Sequence, residues 1–367
     1  MNPNSPIIQA NKSPAPGALV ISLDFELHWG VRDIFGLEHP RAANIKAARK
    51  VIPEILSLFD SFGISATWAT VGFLFAQNRS ELETYRPKTR PRYTETRLNP
   101  YRENTGLSAE DDPLHFAPGL IETIRQYPKQ EIATHTLSHY YCLAQGQTRE
   151  TFASDLDCAL EIAKKRGIKI QSIVFPRNQH NPDYDDILIS RGILSYRGNQ
   201  KHPAYSIHGW HKAPHKRLFR LLDSYMNLSG PCLSSWGHLL TPNGLWNISA
   251  SLYLRPYTAN SSFCEELRIK RIVRAMEKAA QQRKILHLWW HPCDFGAYSK
   301  ENLEGLKRIL LGFKKYSEEY GMISLNMAGI TGMALHTMEN VSKKDRKNQN
   351  TDSGGKIHGH FKDTGSH

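Results

Sequence analysis

Apolar residues along the chain fall into short runs that alternate with longer stretches of helical periodicity. Residues 18–23, "ALVISL", form an apolar run that stops abruptly at Asp24, which is typical of a buried strand. A helix is predicted next, with Asn44 as its N-cap and Gly63 just past its C-terminal end. Its apolar positions at helical spacing are Ile45, Ala48, Ile52, Ile55, Leu56 and Phe59.

The same alternation recurs along the rest of the chain. The further predicted strands are "ISATWATVG" (64–72), "EIAT" (131–134), "SIVF" (172–175), "ILSY" (193–196), "ILHLWW" (285–290) and "MISLNM" (322–327). The further predicted helices cover residues 148–166, 182–191, 262–283 and 299–320. Strands alternating with helices of this length predict a parallel sheet, and six or seven such units favour a barrel over an open sheet.

Two insertions and two terminal segments interrupt this rhythm. Residues 77–116 are polar and rich in Arg and Pro, and residues 198–261 are rich in Trp, Tyr, His and Gly. Long connections of this kind often form lids or binding walls. We expect one barrel over residues 17–336, with disordered segments at 1–16 and 337–367, the latter being polar and poor in apolar residues.

Composition indicates a globular protein, since 40% of the 367 residues are hydrophobic. Its five scattered cysteines and the lack of an apolar signal core near the N-terminus predict a cytoplasmic protein. The net charge is +12, and the basic segment 201–220 contains no acidic residue. No nucleic-acid motif accompanies it, so this segment is either an ordinary basic surface loop or a binding site for a phosphorylated or acidic small molecule. Peripheral contact with an anionic membrane surface is a further alternative.

The predicted strand ends carry the side chains with catalytic potential. In a parallel barrel, catalytic groups lie at the C-terminal ends of the strands. The residues at these positions are Asp24, Glu26, His135, His139, Arg177, His287, Trp289 and His291. His135 and His139 have the spacing of one turn, which lets both rings face one ion from a helix or helical turn.

Two histidines and a carboxylate can hold a catalytic divalent metal that keeps one position open for water. A second carboxylate would serve as a base and a further histidine as an acid. Taken singly, Asp24 or Glu26 is more often a strand-end cap than a ligand, Arg177 is more often a structural ion-pair partner, and His287 is more often a packed barrel residue than a catalyst. Together, the set indicates hydrolysis of an amide or ester.

The order of these residues along the chain resembles that of the motifs of the polysaccharide deacetylase family, the NodB-homology or carbohydrate esterase 4-like enzymes. Members of this family have a distorted (β/α)7-8 barrel. The resemblance covers residues 17–335. "SLDFE" is similar to the first family motif, "HTLSH" to the metal-binding motif, "FPRN" to the arginine motif and "WWHP" to the last, histidine-bearing motif. The chain differs in having Phe25 between its two carboxylates and Pro176 before Arg177, and it lacks a clear aspartate-tryptophan motif.

The resemblance implies a role for each site residue. The implied metal ligands are Glu26, His135 and His139, and the expected ion is zinc, with cobalt, nickel, iron and manganese as alternatives. Asp24 would be the general base, oriented by Arg177, and His291 the general acid, although Asp24 and Glu26 could exchange roles. The residues assigned to substrate binding are Trp29, Asn178, Trp289 and Trp210. Trp236 and Trp246 are further candidates for stacking on a sugar.

These assignments predict the deacetylation of an N-acetylated sugar, carried on a nucleotide or lipid diphosphate during the building of a surface polysaccharide. One alternative is an allantoinase-like hydrolase that opens the C–N bond of a cyclic amide or imide. A second alternative is a catalytically silent barrel that binds carbohydrate. The sequence leaves the choice between N- and O-deacetylation and the oligomeric state open.

Overall fold

A curled parallel sheet forms the centre of the computed structural model, which describes residues 15–206 and 214–337. Its strands are β1 (Ala18–Phe25), β2 (Ala66–Thr70), β3 (Gln130–Thr134), β4 (Ser172–Ile173), β5 (Ser195–Tyr196), β6 (Trp246–Asn247), β7 (Leu252–Tyr253), β8 (Ile285–Trp290) and β9 (Ile323–Ser324). They pair in the order β6-β5-β4-β3-β2-β1-β8-β7, and β9 pairs with β1. Every one of these pairings is parallel, as the alternation of strands and helices predicts.

One continuous stretch of chain joins the two ends of this sheet. Residues 246–247 pair with β5, and residues 252–253 pair with β8. Between them, Ile248 donates its backbone N–H to Tyr196, and Ser251 donates its backbone N–H to His287. The sheet is therefore a distorted barrel, which confirms the expected fold class. The closing stretch lies inside the region 198–261 that we expected to be an insertion.

Helices surround the sheet. They are α1 (Arg41–Ser61), α2 (Arg79–Tyr85), α3 (Pro118–Arg125), α4 (Arg149–Lys165), α5 (Asp185–Ser190), α6 (Pro214–Met226), α7 (Glu265–Gln281) and α8 (Ser299–Tyr320). A last helical stretch covers 327–337. The two regions expected as insertions contribute α2 and α6. No helix in the described part of the chain has the length and apolar character needed to cross a bilayer.

The first strand and helix agree with the sequence pattern, apart from the helix start. All eight residues of β1 are buried, and all six predicted apolar positions of α1 are buried. Helix α1 begins at Arg41 with Pro40 in the cap position, so the prediction of Asn44 as N-cap is wrong. Gly63 follows the C-cap with φ of 66°, as expected for a glycine that ends a helix.

The terminal segments for which we expected disorder lie outside the described residues, except for residues 15, 16 and 337. Within the described barrel, the C-terminal ends of the parallel strands meet on one face. That face receives the polar residues that follow β1, β3, β5 and β8, and it holds the candidate site.

Candidate metal centre and catalytic residues

The end of β1 places two carboxylates in the barrel mouth. Asp24 is 4% and Glu26 is 5% exposed. Glu26 precedes a short 3-10 turn, Leu27–Gly30, and its carboxylate folds back over that turn. A Cβ atom on Gly30 would lie 1.9 Å from Glu26 Oε1, so only glycine at position 30 leaves room for this carboxylate.

His135 and His139 reach the same place from a turn that is not helical. The turn after β3 contains two non-glycine residues with left-handed backbone, Thr136 with φ of 64° and His139 with φ of 56°. It also packs against Gly72, where a Cβ atom would lie 2.9 Å from Leu137 Cα. The two rings therefore converge because the backbone is bent, and the expectation of a helical turn is wrong.

The three predicted ligands face one point. His135 Nε2 lies 3.2 Å and His139 Nε2 lies 3.1 Å from Glu26 Oε2, and one ligand atom from each residue lies within 4.8 Å of the others. Ligand atoms bound at about 2.1 Å around a tetrahedral ion are roughly 3.4 Å apart. The spacing therefore fits a divalent metal ion.

The charges of this set also fit a cation. Burial raises the pKa of Glu26, but His291, His135 and His139 outweigh burial and hold that pKa well below its ordinary value. Burial lowers the pKa of His139 to about 4, so its ring is neutral and can act as a ligand. Both histidines keep a buried Nδ1 atom without a hydrogen-bond partner among the described residues, so no second contact fixes their tautomers.

Asp24 is held by Arg197 and not by Arg177. Arg197 Nη1 and Nη2 donate to the two oxygens of Asp24, each at 2.7 Å, and Nη2 also donates to Asn178 Oδ1 at 2.9 Å. Burial raises the pKa of Asp24, but the Arg197 guanidinium outweighs it, and the pKa falls below its ordinary value. The guanidinium stacks on the Trp289 ring, 4.2 Å from its centroid.

Arg177, which we predicted to orient Asp24, pairs with Asp33 at 2.7 Å and lies over the Tyr141 ring. Its side chain is 38% exposed at the rim of the site. Its backbone is left-handed, with φ of 56°, and it no longer follows the direction of β4. Sequence reasoning missed Arg197, although this residue directly follows the predicted strand "ILSY".

His291, at the end of β8, points one nitrogen into the site. Its Nε2 atom lies 3.8 Å from Asp24 Oδ2 and 3.7 Å from Glu26 Oε1. Its Nδ1 atom lies 3.0 Å from Asp294 Oδ2, and the Tyr253 hydroxyl donates to the same oxygen at 2.6 Å. Burial lowers the pKa of His291, but Asp294, Glu26 and Asp24 outweigh it and raise the pKa to about 10.

His287 is a packed barrel residue and not a catalytic one, as the second of its two sequence interpretations predicts. It is fully buried, its Nδ1–H donates to the Ile248 carbonyl at 2.8 Å, and its Nε2 lies 2.9 Å from Ser22 Oγ. Burial and the Arg197 charge lower the pKa of His287 to about 3, so its ring is neutral. Ser22 Oγ also accepts from Arg197 at 3.0 Å, so Ser22 and Arg197 link His287 to Asp24 by hydrogen bonds.

A cleft of about 680 Å³ opens above these residues. Five arginines and two carboxylates are among its lining residues: Arg97, Arg177, Arg217, Arg220, Arg255, Asp33 and Glu95. Asn178, Trp289 and His291 also line it. The cleft leads to the candidate catalytic residues and has a basic wall.

The tryptophan predictions are mostly wrong. Trp29 is 1% exposed and donates its indole N–H to the His115 carbonyl at 2.9 Å, so it is a core residue. Trp236 and Trp246 are also buried. Trp289 lines the cleft, whereas Trp210 lies outside the described residues.

Comparison with solved structures supports the fold. A putative polysaccharide deacetylase from Mycobacterium smegmatis matches with a TM-score of 0.56 and 13% identity, over 92% of this chain and 95% of that one. A GH57-type branching enzyme from the hyperthermophilic archaeon Pyrococcus horikoshii matches with a TM-score of 0.51 and 13% identity, over 85% of this chain and 69% of that one. No protein-family model matches the sequence, and no curated protein matches it by sequence. The chain has the polysaccharide deacetylase-like barrel fold.

Proposed function

We propose that this protein is a metal-dependent deacetylase that removes the acetyl group from an N-acetylated sugar. The observation that carries this proposal is the convergence of Glu26, His135 and His139 beside two further titrating groups, Asp24 and His291. A carbohydrate-binding barrel without chemistry has no need for two buried carboxylates and two buried histidines around one point, with a third, half-buried histidine beside them.

Each residue has a distinct task in this proposal. Glu26, His135 and His139 hold the ion, which when bound would polarise the acetyl carbonyl and lower the pKa of water to about 7. Asp24 takes the proton of the attacking water, because Arg197 keeps it charged and fixes its two oxygens.

His291 is assigned as the general acid that gives a proton to the leaving amine. Its Nε2 atom faces the two carboxylates, and Asp294 fixes the ring through Nδ1. A pKa of about 10 keeps the imidazolium charged at neutral pH. The positive charge of an ion at Glu26 would lower this pKa and make proton transfer easier.

The cleft supports a substrate with an anionic carrier. Five arginines line the cleft: Arg217, Arg220 and Arg255, together with Arg97, which pairs with Glu95, and Arg177, which pairs with Asp33. Guanidinium groups recognise phosphate oxygens in a fork geometry. We therefore propose a sugar linked to a nucleotide or lipid diphosphate, used in building a surface polysaccharide.

The decisive experiment compares His135→Ala with His291→Ala. We expect the wild type to bind about one divalent ion at this site and to release acetate from an N-acetylhexosamine linked to uridine diphosphate. His135→Ala loses both the ion and activity, since one ligand of three is gone. His291→Ala keeps the ion and loses turnover. Elemental analysis and an acetate assay measure the two quantities.

His238→Ala is the matched control, because His238 is an exposed histidine elsewhere in the chain. It should keep both the ion and activity. Loss of the ion in both site variants would contradict the separate roles of His135 and His291. A wild type that takes up neither zinc nor cobalt would overturn the metal-dependent reaction.

A further inference from the structure

A second cluster of metal-ligating side chains lies outside the catalytic site. It consists of His28, on the turn after β1, and of Glu103 and His115, both in the first insertion. His28 Nδ1 lies 3.2 Å from His115 Nε2, and Glu103 Oε1 lies 3.7 Å from the first atom and 3.5 Å from the second. Both histidine rings are fully buried.

The other nitrogen of each ring is already hydrogen-bonded, which fixes the tautomers. His115 Nδ1 lies 2.7 Å from Asp112 Oδ2, and His28 Nε2 lies 3.2 Å from the Phe35 carbonyl oxygen. Both partners only accept hydrogen bonds, so these two nitrogens carry the protons. Burial lowers the pKa of His115, but Asp112 and Glu103 outweigh it and raise this pKa, so the cluster attracts a positive charge, either a proton on His115 or a metal ion. Metal binding requires both rings to be neutral, and each ring then has one N–H, so the two facing nitrogens both present lone pairs.

Two lone pairs at 3.2 Å beside a carboxylate repel each other unless a positive charge lies between them. The three ligand atoms are 3.2, 3.5 and 3.7 Å apart. Ligand atoms around a tetrahedral ion at about 2.1 Å are roughly 3.4 Å apart. An ion of zinc size therefore fits within bonding distance of all three atoms.

The surrounding contacts are those of a ligand set prepared for a metal. Asp112 is itself held by the backbone N–H groups of Gly106, Leu114 and His115. A carboxylate that orients a metal-bound histidine in this way is the usual outer partner of such a ligand. The side chain of Glu103 is 22% exposed, so this ligand reaches the edge of the buried cluster.

We propose that His28, Glu103 and His115 bind a second divalent cation of the zinc class, which fastens the first insertion to the turn that follows Glu26. The insertion already touches this turn through the backbone bond from His28 to the Leu114 carbonyl at 3.2 Å. His28 lies two positions after Glu26, so an ion here stabilises the turn that directly follows this proposed metal-binding carboxylate.

The test counts metal ions per chain by elemental analysis after dialysis against zinc. All proteins carry His358→Ala and His360→Ala, which remove the "HGH" of the C-terminal tail as a source of adventitious binding. We expect the parent to hold about two ions, Glu103→Gln and His28→Ala to lose one, and His139→Ala to lose the other. Glu103→Gln is the safer variant for folding, because it keeps the shape of a half-buried side chain.

Glu83→Gln is the matched control, since Glu83 is an exposed carboxylate of the same insertion that pairs with Arg86. It should hold as many ions as the parent. In the His139→Ala protein, zinc added after chelation should still raise the unfolding temperature, and this rise should vanish when Glu103→Gln is added.

The outcomes for the two sites are separable. Unchanged metal content in both Glu103→Gln and His28→Ala overturns this inference, and the two histidines then share a proton. The parent protein could also hold only one ion per chain. If Glu103→Gln loses this ion and His139→Ala keeps it, the result supports this inference and contradicts the proposed catalytic metal centre.

Discussion

The orientation of Asp24 depends on a chain of buried hydrogen bonds. Arg197 is 1% exposed and meets Asp24 with two nitrogens. Ser22 accepts from Arg197 and lies beside His287, whose ring is fixed by the Ile248 carbonyl. A buried guanidinium with this many partners fixes both the charge and the angle of the carboxylate.

Replacing Arg197 with lysine tests this role. Lysine keeps the positive charge, so the buried carboxylate stays paired, but it cannot contact both oxygens in a fork. We expect Arg197→Lys to fold and to lose roughly 10- to 100-fold in kcat, the usual cost of a lost positioning contact. Steady-state kinetics and thermal unfolding measure the two effects.

Arg177→Lys makes the same chemical change at the rim of the site. Because Arg177 pairs with Asp33 and not with Asp24, kcat should stay within a few-fold of the wild type. An equal loss of kcat in both variants would contradict the assignment of Arg197.

At the level of secondary structure, helix α4 contacts the turn that carries His135 and His139, the two histidines of the candidate metal centre. Asp155 on α4 is fully buried, accepts the backbone N–H of Leu137 at 2.8 Å and accepts the hydroxyl of Ser138. Left-handed backbone at Thr136 and His139 is unfavourable by itself and persists only where the surroundings hold it. Asp155 therefore positions the turn of the candidate metal centre.

We expect Asp155→Ala to leave the Leu137 N–H buried without a partner, which lowers the free energy of unfolding by about 1–3 kcal/mol. The same change should weaken metal binding, because the turn is free to relax. Asp155→Asn keeps an acceptor for Leu137, and its effect should be smaller. Denaturant unfolding and metal titration measure both, and equal effects in the two variants would contradict this role.

Strand ends were predictable because apolar runs stop where the barrel meets solvent. Asp24, Glu26 and His291 all follow such runs, and the structure brings them together. The choice between Arg177 and Arg197 was not predictable, because it depends on the left-handed backbone after β4. The short strands β6 and β7 lie in residues 246–254, where apolar side chains occupy every second position, so a pattern of continuous apolar runs does not identify this stretch.

For the whole molecule, part of the net charge of +12 lies in the cleft, whose lining contains five arginines and two carboxylates. The barrel-closing stretch ends at β7, and Arg255 follows two residues later in the cleft wall. Arg217 and Arg220 reach the same wall from α6. The basic wall is thus built by the region that closes the barrel, which links the fold to the proposed anionic carrier.

Arg255→Gln tests this link. Loss of one charge-assisted contact to a diphosphate should raise KM for a uridine diphosphate-linked sugar about tenfold. The KM for the free N-acetyl sugar should change little, because that substrate lacks the phosphate groups.

Arg274→Gln removes the same charge at an exposed site on α7 and should leave both KM values unchanged. Added salt should reproduce the effect of Arg255→Gln in the wild type, because screening weakens the same attraction. Equal KM changes for linked and free sugar would contradict an anionic carrier in this cleft.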